Sequence, residues 1–265
     1  MVIGFIGLGN MAGAIIGGML GKGMVRPEDI IGSARTQATL DKVSGKYGIR
    51  VTFDNAEVAR SCDILFLAVK PIFFPEVIGQ IRQEVRPETL VVSIAAGKDL
   101  AYLKNSFGRP ELKFIRCMPN TPALVLEGCT GVSAGNDVSG EELELVMGLL
   151  RSFGSASVVP ERLMDVVGAV SGSSPAYVFL FIEALADGAV AGGMPRAQAY
   201  QFAAQAVMGS AKMVLETGKH PGELKDMVCS PGGTTIQAVK VLEEKGMRGA
   251  VMDAMEACIE KTKKL

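Results

Sequence analysis

Val2-Ile3-Gly4-Phe5-Ile6-Gly7-Leu8-Gly9-Asn10-Met11-Ala12 is the stretch on which the fold turns. Its first residues are apolar without alternation, which suits a strand buried on both faces. Gly7, Gly9 and Ala12 then form a G-x-G-x-x-A pattern. The first glycine permits a tight turn, the second lets the backbone approach a pyrophosphate, and the small third residue allows close packing of helix on sheet. The N-terminus of the helix that follows offers free N–H groups and a partial positive charge. Gly7, Leu8, Gly9, Asn10, Met11 and Ala12 are therefore candidate contacts for a dinucleotide cofactor. Gly9, Gly13, Gly17 and Gly21 recur every fourth residue, predicting one helix face flat enough for close neighbours. The same region has a rival reading, because Val2 to Gly21 is an uncharged run of 20 residues, the length of a membrane span. Seven of its residues are glycine, no Lys or Arg precedes it, and no small-residue cleavage site follows. The expectation is a cytoplasmic protein without a membrane span.

Outward from this opening, VIGFIG (2–7), IIGSA (30–34), DILFLAV (63–69), LVVSIA (90–95) and LKFIRC (112–117) are nearly continuous apolar runs. Between them lie helix-like segments such as Gln37–Lys46 and Phe74–Val85. Strand–helix alternation with unbroken apolar strands predicts an α/β fold, a doubly wound parallel sheet of Rossmann type. A strand near Gly131–Ala134, a helix over Glu141–Phe153 and a strand near Ser155–Val159 would complete it. From Arg162 onward no strand pattern appears. At least four helical segments are expected there, broken at Ser174-Pro175, Met194-Pro195, His220-Pro221 and Ser230-Pro231-Gly232-Gly233, with the prolines in first helical turns. The division is thus 1–160, a dinucleotide-binding domain, and 161–265, an all-α dimerisation and substrate domain. The helix from Pro175 to Ala191 carries only Glu183 and Asp187 as charges. A helix apolar on nearly all sides must be covered, and a helical domain of this size has little to cover it with, so a homodimer is expected.

Composition removes several function classes. The chain has 265 residues, 48% of them apolar and 21% charged, with 27 basic against 28 acidic side chains. No basic surplus serves nucleic acid, and with aromatics at 6% and no tryptophan, stacking platforms are few. A single histidine, His220, cannot build a His-rich metal site, and no metal is expected. As a proton carrier it would be a lone candidate; a surface loop position is the simpler reading. Cys62, Cys117, Cys129, Cys229 and Cys258 are odd in number and contain no C-x-x-C pair, which suits buried free thiols.

Cofactor choice is read after the second apolar run. An NAD site usually places an acid there to accept from the ribose 2′-hydroxyl. Gly32-Ser33-Ala34-Arg35-Thr36-Gln37 has none, whereas Ser33 can donate and Arg35 can pair with a 2′-phosphate. NADP(H) is therefore preferred, with NAD(H) possible. Ala68-Val69-Lys70-Pro71 and Ala95-Ala96-Gly97 end two further runs, where small residues leave room for a dinucleotide. In the second half, Ser230-Pro231-Gly232-Gly233-Thr234-Thr235 runs into a helix, so backbone N–H groups converge in an anion-binding turn. The plainer alternative is a helix corner with Thr234 as N-cap.

The opening turn, Ala-Val-Lys-Pro at 68–71, Met-Pro-Asn-Thr-Pro at 118–122 and Ser-Gly-Ser-Ser-Pro-Ala-Tyr at 171–177 resemble the pyrroline-5-carboxylate reductase family. So does Leu224-Lys225-Asp226 through Ser230-Pro231-Gly232-Gly233-Thr234-Thr235. The resemblance implies NAD(P)H-dependent reduction of 1-pyrroline-5-carboxylate to L-proline. It implies cofactor contacts at Gly7–Ala12, Ser33, Asn55, Ala68–Pro71 and Ala95–Gly97. It also implies a substrate carboxylate held at Ser230 and Gly232 to Thr235, with the Thr235 hydroxyl beside the ring nitrogen. Family dimers interleave their helical domains, and some members assemble them into larger rings. The opening motif also resembles 3-hydroxyacid dehydrogenases, but the lysine and asparagine those enzymes use are missing from Tyr177 to Ala191. A non-enzymatic NADP(H)-binding redox sensor would keep Gly7–Ala12 without needing the turn at Gly232–Thr235.

Overall fold

The computed structural model describes residues 1–264. They fall into two compact units, Met1–Ser173 with the chain from Cys258 onward, and Ser174–Ala257. In chain order the first unit runs β1 (Ile3–Ile6), α1 (Asn10–Gly21), β2 (Ile30–Ser33), α2 (Gln37–Tyr47), β3 (Arg50–Thr52), α3 (Asn55–Ser61) and β4 (Ile64–Leu67). It continues with α4 (Phe74–Ile81), β5 (Leu90–Ser93), α5 (Leu100–Phe107), β6 (Lys113–Met118), β7 (Gly128–Ala134), α6 (Gly140–Arg151), β8 (Gly154–Val158) and the short α7 (Met164–Val167). The expected strands are present within a residue or three of their expected ends. Strand β3 and helix α3 are additional, too short for a hydrophobic period to reveal, and α5 fills the space between two of the expected strands.

The eight strands form one sheet in the order β3-β2-β1-β4-β5-β6-β7-β8, parallel except between β6 and β7. Strands β1, β2, β4 and β5 are buried at every position, which is why their sequences do not alternate. Both faces are covered. Phe5, Ile15, Ile16, Met19 and Leu150 belong to the core on one side, while Ile6, Leu67, Ile78, Leu103 and Phe107 belong to that on the other. Each such side chain contributes about 1.5–3 kcal/mol on burial. Phe5 and Phe66 stack on adjacent strands with ring centroids 4.9 Å apart. Strand order reverses between β1 and β4, so a crevice opens off the carboxyl ends of these strands.

The first unit runs on past residue 160, for a physical reason. Arg116 on β6 is 3% exposed and pairs through Nη1 with Glu161 (3.0 Å) and through Nη2 with Asp165 (2.9 Å). Glu161 also accepts from the Leu100 N–H at 3.1 Å. A buried guanidinium left without its carboxylates would be strongly destabilising, so these contacts tie the following segment to the sheet.

The second unit holds α8 (Ser174–Ala191), α9 (Arg196–Thr217), α10 (Pro221–Val228) and α11 (Thr234–Glu244), and α12 (Met247–Thr262) carries the chain back into the first. Three of the expected breaks are present; Pro175 stands in the first turn of α8 as expected, but no break precedes it. Helical structure is continuous over Glu161–Ala191, with a π-helical stretch at Gly168–Ser173. Pro175 has no N–H for the carbonyl four residues earlier, and that carbonyl, of Ser171, accepts instead from Asn120 Nδ2 at 3.0 Å. Asn120 in turn accepts the Cys129 N–H through Oδ1 at 2.8 Å. By length and composition this helical run would suffice to cross a membrane. Within the second unit, only Ala186, Ala199 and Ala203 form a buried cluster.

Two further expectations are corrected. All five cysteines are free, but only Cys62 and Cys117 are buried; Cys129 is exposed, and Cys229 and Cys258 are half-buried. Burial pushes the Cys62 thiol up to about 12. The glycine stripe of α1 serves one neighbour rather than a long contact. Gly13 and Gly17 face Tyr47, whose hydroxyl donates to the Gly13 carbonyl at 2.8 Å, while a side chain at Gly9 or Gly21 would meet nothing within 4 Å. The tightest approach of α1 is made off the stripe, at Gly18, where a Cβ would lie 2.6 Å from Phe153 Cβ.

Candidate active site

Helix starts separate the polar turns that serve folding from those left open. Thr36, Asp54, Asp99 and Ser139 cap α2, α3, α5 and α6 by accepting a backbone N–H, Ser139 with Glu142 in a reciprocal capping box. His220 caps α10, its Nδ1 accepting the Gly222 N–H at 3.0 Å. That contact accounts for the single histidine as an exposed capping residue. Helices α1 and α11 instead start on glycines, Gly9 and Gly233, with no side-chain cap. Their first N–H groups are the orphan donors an anion can take up.

At α1 the turn is built by contact. Gly7 has φ +95°, and a Cβ there would lie 2.8 Å from both the Ala68 carbonyl oxygen and Val69 Cγ1. Its N–H donates to the Ser33 carbonyl at 3.0 Å, tying the turn to the end of β2. Gly9 is extended (φ −78°, ψ −171°), with open space where a side chain would stand. A pyrophosphate fits such a cradle, since the backbone is reachable at the point where any Cβ would intrude.

A cavity of about 410 Å³ opens beside this turn, and Gly7, Leu8, Gly9, Ser33, Arg35, Asn55, Ala68, Val69 and Lys70 all line it. Ser33 Oγ donates to Asn55 Oδ1 at 2.6 Å, and Asn55 Nδ2 donates to Gln80 Oε1 at 2.6 Å. The remaining candidates stand elsewhere. Asn10 borders an adjoining cavity over α2, which shares Leu8, Gly9 and Thr39 with the first, and Ala12 is buried beneath α1 at 1% exposure as its packing residue. Met11 is half-buried against the core, and Pro71 starts a 3₁₀ turn, Pro71–Phe73. Ala95 is buried, Ala96 is half-buried, and Gly97 has φ +70°; none of the three lines the cavity. The structure adds residues that sequence reading missed, above all Glu76 and Gln80 on α4. Their four-residue spacing on one helix face was visible, but nothing in the sequence places α4 beside β2.

In the second unit Gly232 has φ +67°, and the Gly233 N–H donates to the Ser230 carbonyl at 3.0 Å. Thr234 and Thr235 are the first two residues of α11, Thr234 exposed and Thr235 half-buried. The N-cap is Gly233, so Thr234 does not cap the helix, and the turn presents uncapped N–H groups with a hydroxyl at their side.

The doubly wound sheet, its open glycine turn and the helical second unit define a dinucleotide-dependent oxidoreductase fold. Comparison with known proteins agrees. Residues 161–265 match the family model for pyrroline-5-carboxylate reductase dimerisation, and residues 2–97 match the NADP oxidoreductase, coenzyme F420-dependent model. A pyrroline-5-carboxylate reductase of Escherichia coli (strain K12) is 54% identical over 263 residues, 99% of this chain and 97% of that protein. Among solved structures, the Coxiella burnetii pyrroline-5-carboxylate reductase superposes with TM-score 0.90 at 35% identity, covering 99% of this chain and 97% of that one. The Plasmodium falciparum pyrroline carboxylate reductase with NADP bound gives TM-score 0.90 at 32% identity, covering 100% and 97%. The chain belongs to the pyrroline-5-carboxylate reductase family.

Proposed function

We propose that this protein reduces 1-pyrroline-5-carboxylate to L-proline with NAD(P)H, the last step of proline synthesis. Besides family membership, the observation that carries this reading is the uncapped, open N-terminus of α1 at Gly9. Residues 1–160 hold the dinucleotide. Backbone of Gly7 to Ala12 takes the pyrophosphate; Ser33, Arg35 and Asn55 take the adenosine ribose and its 2′-phosphate; Ala68–Pro71 and Ala95–Gly97 leave room for the rest. NADP(H) is the preferred cofactor and NAD(H) also serves. When bound, the reduced nicotinamide supplies the hydride that adds to the ring's imine carbon.

Residues 161–265 carry the substrate contacts. The Gly233 N–H closes the turn onto the Ser230 carbonyl, and the other uncapped N–H groups of the Gly232–Thr235 stretch hold the carboxylate without a buried cation. The Thr235 hydroxyl donates to the ring nitrogen and passes it a proton from solvent, so the C=N bond becomes a C–H and an N–H. Thr234 acts through its backbone. Holding the imine in place is the protein's main task, and positioning of this kind is worth several kcal/mol.

The test is oxidation of NADPH, and separately of NADH, by purified protein with and without 1-pyrroline-5-carboxylate. Substrate-dependent oxidation with proline as product is expected. NADPH binding without consumption of either cofactor would overturn the reading.

The second unit also bears on assembly. Phe179, Leu180, Phe202 and Leu215 are 63–85% exposed in the single chain, and large apolar patches of this kind mark interfaces. A second copy covers them, giving a cytoplasmic homodimer whose helical run Glu161–Ala191 faces protein rather than lipid. Larger rings built from such dimers belong to the same proposal. Sedimentation without detergent is expected to give a dimer or an even multiple of it; a stable monomer at micromolar concentration would exclude it.

A further inference from the structure

The stretch after β2 contains no acid, yet the fold delivers one there. Arg35 lies with its guanidinium carbon 4.1 Å from the centroid of the Phe73 ring and donates from Nη2 to Glu76 Oε2 at 2.6 Å. Both side chains are more than half exposed, 58% and 57%, and both line the cavity beside the glycine turn. A solvated pair of this kind adds little to stability, so holding the fold together does not explain it. One turn further along α4, Gln80 anchors Asn55 and through it Ser33.

We propose that Glu76 is a specificity-determining residue that weakens the protein's discrimination between NADPH and NADH by competing for Arg35. The inference rests on reading this cavity as the dinucleotide site. A ribose 2′-phosphate carries nearly two negative charges at neutral pH. To reach Arg35 it must displace the Glu76 carboxylate or accept its repulsion. A 2′-hydroxyl faces no such cost, because a carboxylate at this end of β2 accepts its hydrogen bond, the role an acid usually plays in NAD sites. Arg35 thus favours the phosphate and Glu76 the hydroxyl. The acid missing from the β2 end is supplied by α4, and both cofactors are admitted.

The experiment measures binding by titration calorimetry on the full-length protein, without turnover. The probes are 2′-phospho-ADP-ribose and ADP-ribose, against the unsubstituted chain, Glu76→Gln, Arg35→Ala and the double variant. Glu76→Gln is expected to tighten 2′-phospho-ADP-ribose about 5- to 20-fold and weaken ADP-ribose about 2- to 5-fold, with no change in Tm. In the Arg35→Ala background the gain for the phosphate probe is expected to vanish. An unchanged ratio of the two affinities in Glu76→Gln overturns the proposal. So does an equal loss for both probes, which is what a merely structural pair would give. If the unsubstituted protein binds neither probe, the cofactor reading of the cavity falls together with it.

Discussion

Replacing Gly9 with alanine is expected to leave the fold intact and weaken NADPH binding at least tenfold, about 1.4 kcal/mol. The backbone at Gly9 is extended, which alanine adopts without strain. An added Cβ meets no protein atom within 4 Å. It would instead stand in the open space over the first N–H groups of α1, where a pyrophosphate must come to backbone distance. Gly7 supplies the contrast. There a Cβ would press on the Ala68 carbonyl at 2.8 Å with φ at +95°. Gly7→Ala must therefore shift backbone, and about 2–4 kcal/mol of stability should go with the binding. Tm by calorimetry and Kd by NADPH fluorescence separate the two. A normal Kd for Gly9→Ala would show that no phosphate approaches this turn.

The second large effect is expected at Thr235. Removing the hydroxyl proposed to bond the ring nitrogen is expected to cost about 1.4–2.8 kcal/mol, or roughly 10- to 100-fold in kcat/KM. Thr235→Ala should show that loss in steady-state rates while its Kd for NADPH stays unchanged, because every residue proposed to contact the cofactor belongs to the first unit. Thr235→Ser keeps a hydroxyl and should recover most of the rate. Thr234→Ala should cost little, since Thr234 is exposed and heads α11 without capping it. Equal rates for Thr235→Ala and the unsubstituted enzyme would remove this hydroxyl from the reaction.

What the sequence by itself determined is what neighbouring residues impose on one another. Apolar runs too continuous for a half-exposed sheet marked the buried parallel strands. The spacing of Gly7, Gly9 and Ala12 marked a strand–turn–helix unit, and Ser230 to Thr235 marked a second glycine turn running into a helix. These are local signals, because strand burial, turn geometry and helix starts depend on a few consecutive residues. Tertiary structure decided whatever depends on distant segments meeting. Pro175 signals a break, but Asn120, far back in the chain, takes the carbonyl that proline leaves unpaired, and the helix continues. The glycine stripe of α1 marked a face for close neighbours, but only the fold shows that the neighbour is a single tyrosine from α2 over Gly13 and Gly17. The end of β2 carries no acid of its own, and only the packing of α4 lays Glu76 against Arg35. A side chain's partners depend on how helices are set against the sheet, and that is fixed by packing of the whole core, not by the residues on either side.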